Sequence, residues 1–108
     1  MHVVLAGDDS HGLREALDDS EMSLATVPVV DRSALEAADI ASADAYLLTD
    51  MSQASTIAVA KDCNPDLRVV VYDDAALPDY AARQTDLAVD PALVDPDAVV
   101  ESLRDTAR

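Results

Sequence analysis

The residues most suited to chemistry lie in one short segment, Gly7-Asp8-Asp9-Ser10-His11-Gly12, directly after an apolar run, Val3 to Ala6. Gly7 and Gly12 stand where the first and third glycines of a Gly-x-Gly-x-x-Gly turn would be. Such a turn lets a backbone approach a pyrophosphate at the start of a helix. Asp9 and Ser10 lie inside it, and Asp9 takes the place of the middle glycine, adding bulk and negative charge where a phosphate would rest. Asp31 follows a second β-rich run at about the spacing of an acid that grips a ribose hydroxyl. The alternative is purely structural: the two glycines permit a tight turn and close packing of the helix that follows. His11 could donate to a phosphate or simply decorate a helix start. Asp8 and Asp9 could offer oxygen ligands to Mg²⁺, although in so acidic a chain paired acids are commonly solvated surface.

Two further segments carry polar groups at strand ends. Thr49-Asp50 follows the run Ala45 to Leu48, and Tyr72-Asp73-Asp74 closes the run Leu67 to Tyr72. Ligands of an open parallel sheet collect outside the carboxyl ends of its strands, so these segments belong to the same search.

The remaining chemistry is thin. Cys63 is the only cysteine and the only histidines are His2 and His11, so a Cys-His nucleophile, a disulfide framework and a zinc cluster within one chain lack support. There is no Gly-x-Ser-x-Gly elbow, no phosphate loop ending in Gly-Lys-Ser/Thr, and no His-Glu-x-x-His. The expected class is a non-enzyme.

Short β-rich runs alternate with Ala-rich stretches at helical spacing, the pattern of βαβ units on a mainly parallel sheet. Five strands are expected, at Val3 to Ala6, Leu24 to Val30, Ala45 to Leu48, Leu67 to Tyr72 and Leu87 to Val89. Pro28 in the second run removes a ladder donor and argues for an edge position or a bulge. Helices are expected over Gly12 to Leu17, after Ser33 with Glu36 completing a capping box, over Ser52 to Asp62 stopped by Asn64-Pro65, over Pro78 to Arg83, and over Pro96 to Arg104. With 108 residues, one domain spanning 1–108 is expected, with a core of Val, Leu, Ile and Ala because the chain has no Phe or Trp.

Charge bounds the partners. Asp and Glu number 22 against 7 Lys and Arg, a formal charge of −15, with Lys61 the only lysine. Self-repulsion of that size is tolerable when salt shortens the Debye length to roughly 3 Å at about 1 M. The expected setting is a salt-rich cytoplasm of the kind found in halophilic archaea. Unfolding midpoints should accordingly rise steeply with KCl, and a midpoint indifferent to KCl would contradict this. Nucleic acid is excluded as a partner by the lack of a basic stripe, and membrane insertion by apolar runs no longer than a strand.

The order and spacing of several pieces resemble the N-terminal nucleotide-binding domain of potassium-transport regulators, the RCK or Trk-type Rossmann module. They are Leu35-Glu36-Ala37-Ala38-Asp39-Ile40-Ala41-Ser42-Ala43-Asp44-Ala45, then Thr49-Asp50, then Asn64-Pro65-Asp66-Leu67-Arg68-Val69-Val70-Val71, and finally Asp86-Leu87-Ala88-Val89-Asp90-Pro91. The resemblance implies a three-layer Rossmann-like α/β domain with a five-stranded sheet, ordered 2-1-3-4-5 or in a 3-2-1-4-5-like way. It implies contacts to an adenine nucleotide, NAD, ADP or ATP, from Gly7, Asp9, Ser10, Gly12, Asp31, Thr49 and Asp50. It also implies a membrane transporter or other protein as partner, and a homodimer. The chain departs from that family at Asp9, at Tyr72 where an arginine is frequent and at Ser55 where an asparagine is frequent, and it lacks about one helix-strand unit.

The 2-1-3-4-5 order brings a second resemblance, to response-regulator receivers, in which Asp8, Asp9 and Asp50 look like an acidic pocket. Here Asp90 stands at the receiver's lysine, Tyr72 at its Thr or Ser, and Asp50 one residue late, so phosphotransfer is not expected. The alternative reading is thus a degenerate Rossmann or receiver-like domain that has lost its ligand and serves as an interaction or scaffold protein. That reading expects an exposed apolar patch around Val99, Val100 and Leu103.

Overall fold

The computed structural model describes residues 2–7, 12–19, 23–27, 31–74 and 78–106. Five strands form one sheet: β1 His2–Ala6, β2 Ser23–Val27, β3 Ala45–Leu48, β4 Arg68–Tyr72 and β5 Leu87–Val89. Every pairing is parallel and the order is β2-β1-β3-β4-β5. The 3-2-1-4-5-like alternative is thereby set aside. β2 is an edge strand, as Pro28 argued, although Pro28 to Val30 lie outside the described residues.

The parallel arrangement follows from the strand sequences. Val-Val-Leu-Ala, Ala-Tyr-Leu-Leu and Val-Val-Val-Tyr are apolar at every position, the composition of strands buried on both faces. Alternate residues feed two cores. On one face Val4, Ala6, Tyr46, Leu48, Val69 and Val71 meet Leu35, Ile57, Ala60 and Ala81 from the helices α2 Arg32–Ala37, α3 Thr56–Cys63 and α4 Asp79–Ala82. On the other, Val3, Leu5, Leu47, Val70 and Tyr72 meet Leu13 and Leu17 of α1 Leu13–Asp19 and Val99, Val100 and Leu103 of α5 Pro96–Thr106.

Three expectations change here. The apolar residues of the last helix are not a surface patch: Val99, Val100 and Leu103 are 2%, 5% and 0% exposed. The spacing Val99-Val100-Leu103 is that of one helical face, and the sheet covers it. The second helix is capped by Asp31 rather than Ser33, because the Asp31 carboxylate accepts from Ala34 N–H at 2.7 Å and sets the start at Arg32. The stretch expected as one helix from Ser52 is instead a 3₁₀ turn, Met51–Gln53, followed by α3.

Within the first of those cores runs a buried polar chain. Thr56 Oγ1 donates to Gln53 O at 2.6 Å, so the fully buried Tyr46 hydroxyl must be the donor to Thr56 Oγ1 at 2.8 Å. Burial pushes the Tyr46 phenol up to about 12. A group whose folded pKa is raised gives stability that is complete below its unfolded pKa, near 10, and lost as pH rises through the folded value. Stability should therefore decline between about pH 10 and pH 12. Tyr46→Phe should shrink that decline in alkaline denaturation series, and an unchanged slope would contradict the assignment.

Candidate functional site

The carboxyl ends of β1, β3, β4 and β5, with the acid that caps α2, form one acidic rim. Gly7, Asp31, Thr49, Asp50, Asp73, Asp74 and Asp90 belong to it among the described residues. Asp8, Asp9, Ser10 and His11 lie outside the described residues.

Gly7 sits in this rim as a packing residue. Its φ of +101° is open only to glycine, and a Cβ there would meet Thr49 Oγ1 at 2.5 Å and Asp50 N at 3.2 Å. Its N–H donates to Val27 O at 3.1 Å, and the neighbouring Ala6 O accepts both Thr49 N–H at 3.0 Å and Thr49 Oγ1 at 3.2 Å. The first glycine of the turn thus lets the end of β1 lie against the Thr49-Asp50 corner. Gly12 has a different reason: its φ is +80°, but a Cβ would meet nothing within 4 Å. It serves the left-handed turn before α1, and the close helix packing assigned to a third glycine is not its role.

Asp31, Asp50, Asp73 and Asp90 of the rim are turned to the backbone around them. Asp50 Oδ1 accepts from Ser52 Oγ at 2.6 Å and Ser52 N–H at 3.0 Å, which closes the 3₁₀ turn after β3. Asp73 Oδ2 accepts from Met51 N–H at 2.7 Å, tying the loop after β4 to the loop after β3. Asp90 Oδ1 accepts from Ala92 N–H at 2.9 Å. Asp31 is occupied as the cap of α2. Replacing it by Ala should cost about 1 kcal/mol, the usual worth of an N-cap, read as a lower urea midpoint. An unchanged midpoint would show that the cap bond carries no weight in solution.

Of the residues singled out from sequence, the fold brings Gly7, Thr49 and Asp50 into contact, while Asp31 turns to its own helix. Tyr72 is 1% exposed, and its hydroxyl donates to Val94 O at 2.6 Å. Burial, with the charges of Asp95 and Asp90, raises its pKa. It is therefore a core residue with a satisfied tip, not a group aimed at a ligand. Asp73, with Asp74, lies in a segment that the sequence marked for search without naming it among the site residues; its signal was its place directly after a strand whose neighbour ends in Thr49-Asp50. Among the described residues no three His, Cys, Asp or Glu side chains gather as metal ligands would. No helix among them is long and apolar enough to cross a membrane.

Comparison with solved structures finds neighbours of the same fold, several of them described as response regulators. The chain is similar to an orphan response regulator of H. pylori, with a TM-score of 0.77, 17% identity, and coverage of 100% of this chain and 97% of that one. It is similar to an atypical orphan response regulator described as having a phosphorylation-independent regulatory mechanism, with a TM-score of 0.74, 17% identity and coverage of 97% and 93%. A third, described as a pilus assembly protein of Burkholderia thailandensis, gives 0.70 at 15% identity, covering 99% and 98%. At these identities the likeness is one of fold. A search of curated proteins finds no match.

The resemblance to potassium-transport regulators is overturned by these neighbours. Its pieces are features that parallel α/β chains share: a helix stopped by Asn64-Pro65 before a buried strand, and Asp90-Pro91 after the last one. The helix-strand unit that looked missing is not a loss, because five strands in the order 2-1-3-4-5 already make a complete receiver-like sheet. The assignments of nucleotide binding and potassium-transport regulation go with that family. A family profile matches residues 3–103, nearly the whole chain. The chain belongs to the family described as DUF7126, a family of unknown function.

Proposed function

We propose that this chain is a receiver-like regulatory domain that works by binding a protein partner and neither accepts a phosphoryl group nor catalyses a reaction. The observation that carries this reading is the state of Asp50. Its Oδ1 accepts from both Ser52 Oγ and Ser52 N–H in the loop it closes, and Asp73 Oδ2 beside it accepts from Met51 N–H. Phosphoryl transfer needs a cation to offset the charge that develops, and Asp90, whose Oδ1 accepts from Ala92 N–H, stands where a receiver carries a lysine. The neighbouring folds support the reading, since two are orphan response regulators and one is described as phosphorylation-independent.

Two exposed apolar side chains flank β5 in sequence and are the candidates for contact with a partner. Tyr80 on α4 is 62% exposed and Leu93 in the loop after β5 is 83% exposed, the two large apolar side chains that reach solvent among the described residues. Asp79, Asp90, Asp95 and Asp97 lie near them in sequence, so the fitting partner offers an apolar pocket with a basic rim.

The test is incubation with acetyl phosphate and Mg²⁺ in high KCl, followed by intact-mass measurement. The unmodified mass is expected. A Mg²⁺-dependent phosphoryl adduct that disappears in Asp50→Asn would overturn the proposal.

A further inference from the structure

The two edges of the sheet are defended differently. β5 is three residues long and lies between Asp86 and Asp90. β2 is five residues long and lies in an uncharged run from Met22 to Val30, in a chain that is 27% charged. An edge strand presents a row of backbone donors and acceptors, and proteins blunt such edges with shortness, charge or proline. β5 is short and lies between two acids, whereas Ser23-Leu24-Ala25-Thr26-Val27 is neither short nor charged and meets proline only after its end, at Pro28. Among the described residues β2 pairs only with β1.

Strand alternation fixes which groups face outward. Val27 O accepts from Gly7 N–H, so Val27, Ala25 and Ser23 address β1, and Leu24 and Thr26 turn their N–H and C=O to the outer edge. We infer that this edge pairs with the same edge of a second copy of the chain, antiparallel, about a two-fold axis at Ala25. The axis sets Leu24 opposite Thr26 of the partner subunit and Thr26 opposite Leu24 of the partner subunit. Each pair exchanges both backbone hydrogen bonds.

The geometry of the edge admits a second copy as the occupant, and charge selects it. The outward residues are spaced symmetrically about Ala25, whose methyl is small enough for the close approach of a non-hydrogen-bonded pair on the axis. Charge points the same way. Each copy carries −15, so two copies meet at least cost where the approaching strand is uncharged. Thr26 is exposed, and Leu24 and Ala25 are half-buried, which leaves the edge reachable. The product is one continuous ten-stranded sheet. This inference does not depend on how the domain signals.

Light scattering on the full chain in high KCl, over a concentration series, tests it. The wild type is expected to reach twice 11.4 kDa. Thr26→Pro deletes an outward N–H that the β1 ladder does not use, a position where proline fits an edge strand. It should run at the monomer mass with unchanged circular dichroism, its dimer weakened by at least about tenfold. Should Thr26→Pro unfold, Thr26→Lys, which keeps the backbone and charges the edge, is read in its place with the same expectation. Ala88→Lys, on the opposite edge, should remain dimeric. A wild type monomeric at every concentration, a folded edge variant that stays dimeric, or Ala88→Lys dissociating would each overturn the inference.

Discussion

Leu103→Ala is expected to lower the unfolding free energy by about 3 kcal/mol, within the range for a fully buried leucine. For a domain of this size that moves the melting midpoint down by on the order of 15 °C. The side chain is 0% exposed and packs with Val99, Val100, Leu13, Leu47 and Val70 between α5 and the sheet. Loss of its methyl groups leaves a cavity that neighbours on a rigid central sheet cannot close. Thermal unfolding in high KCl measures this directly. A shift within about 0.5 kcal/mol, typical of a surface position, would return Leu103 to the exposed patch expected from sequence and would mean that α5 does not dock as described.

The second large effect is at Gly7. Gly7→Ala forces a Cβ to within 2.5 Å of Thr49 Oγ1 and 3.2 Å of Asp50 N while φ stays at +101°. The backbone strain and the steric clash together should cost about 3 kcal/mol. Gly12→Ala is the internal comparison. With φ +80° and nothing within 4 Å, it bears only the left-handed penalty, about 1 kcal/mol. Two glycines of one turn thus differ by roughly 2 kcal/mol, chiefly for reasons of space. Equal losses at both, measured by urea unfolding, would contradict the packing role of Gly7.

The lesson from these positions is specific. The parallel sheet was legible because Val3 to Ala6, Ala45 to Leu48 and Val69 to Tyr72 are apolar at consecutive positions, and because Asn64-Pro65 and Pro78 punctuate the helices between them. The 2-1-3-4-5 order was legible only as one of two options, since crossover handedness and strand neighbours depend on tertiary packing. The site was legible as a place and not as a chemistry. Gly7, Thr49 and Asp50 do converge, but residue types cannot tell a glycine that makes room for a phosphate from one that makes room for Thr49 Oγ1. In the same way Asp31 reads as a ribose acid or as an N-cap with equal ease, because both uses place a carboxylate after a strand and before a helix. The face of α5 was misread for a related reason: Val99, Val100 and Leu103 at helical spacing define an apolar stripe without naming what covers it. The family assignment failed where it leaned on such shared punctuation.

The central proposal, that Asp50, Asp73 and Asp90 are held by backbone groups of the loops at the strand ends and take no phosphoryl group, is tested most directly by amide spectra in high KCl with Mg²⁺ and beryllofluoride, a phosphoryl mimic. The amide signals of Gly7, Thr49, Asp50, Ser52 and Asp73 should keep their positions as both components are titrated. Saturable shifts centred on Thr49, Asp50 and Asp73, absent in Asp50→Asn, would contradict it.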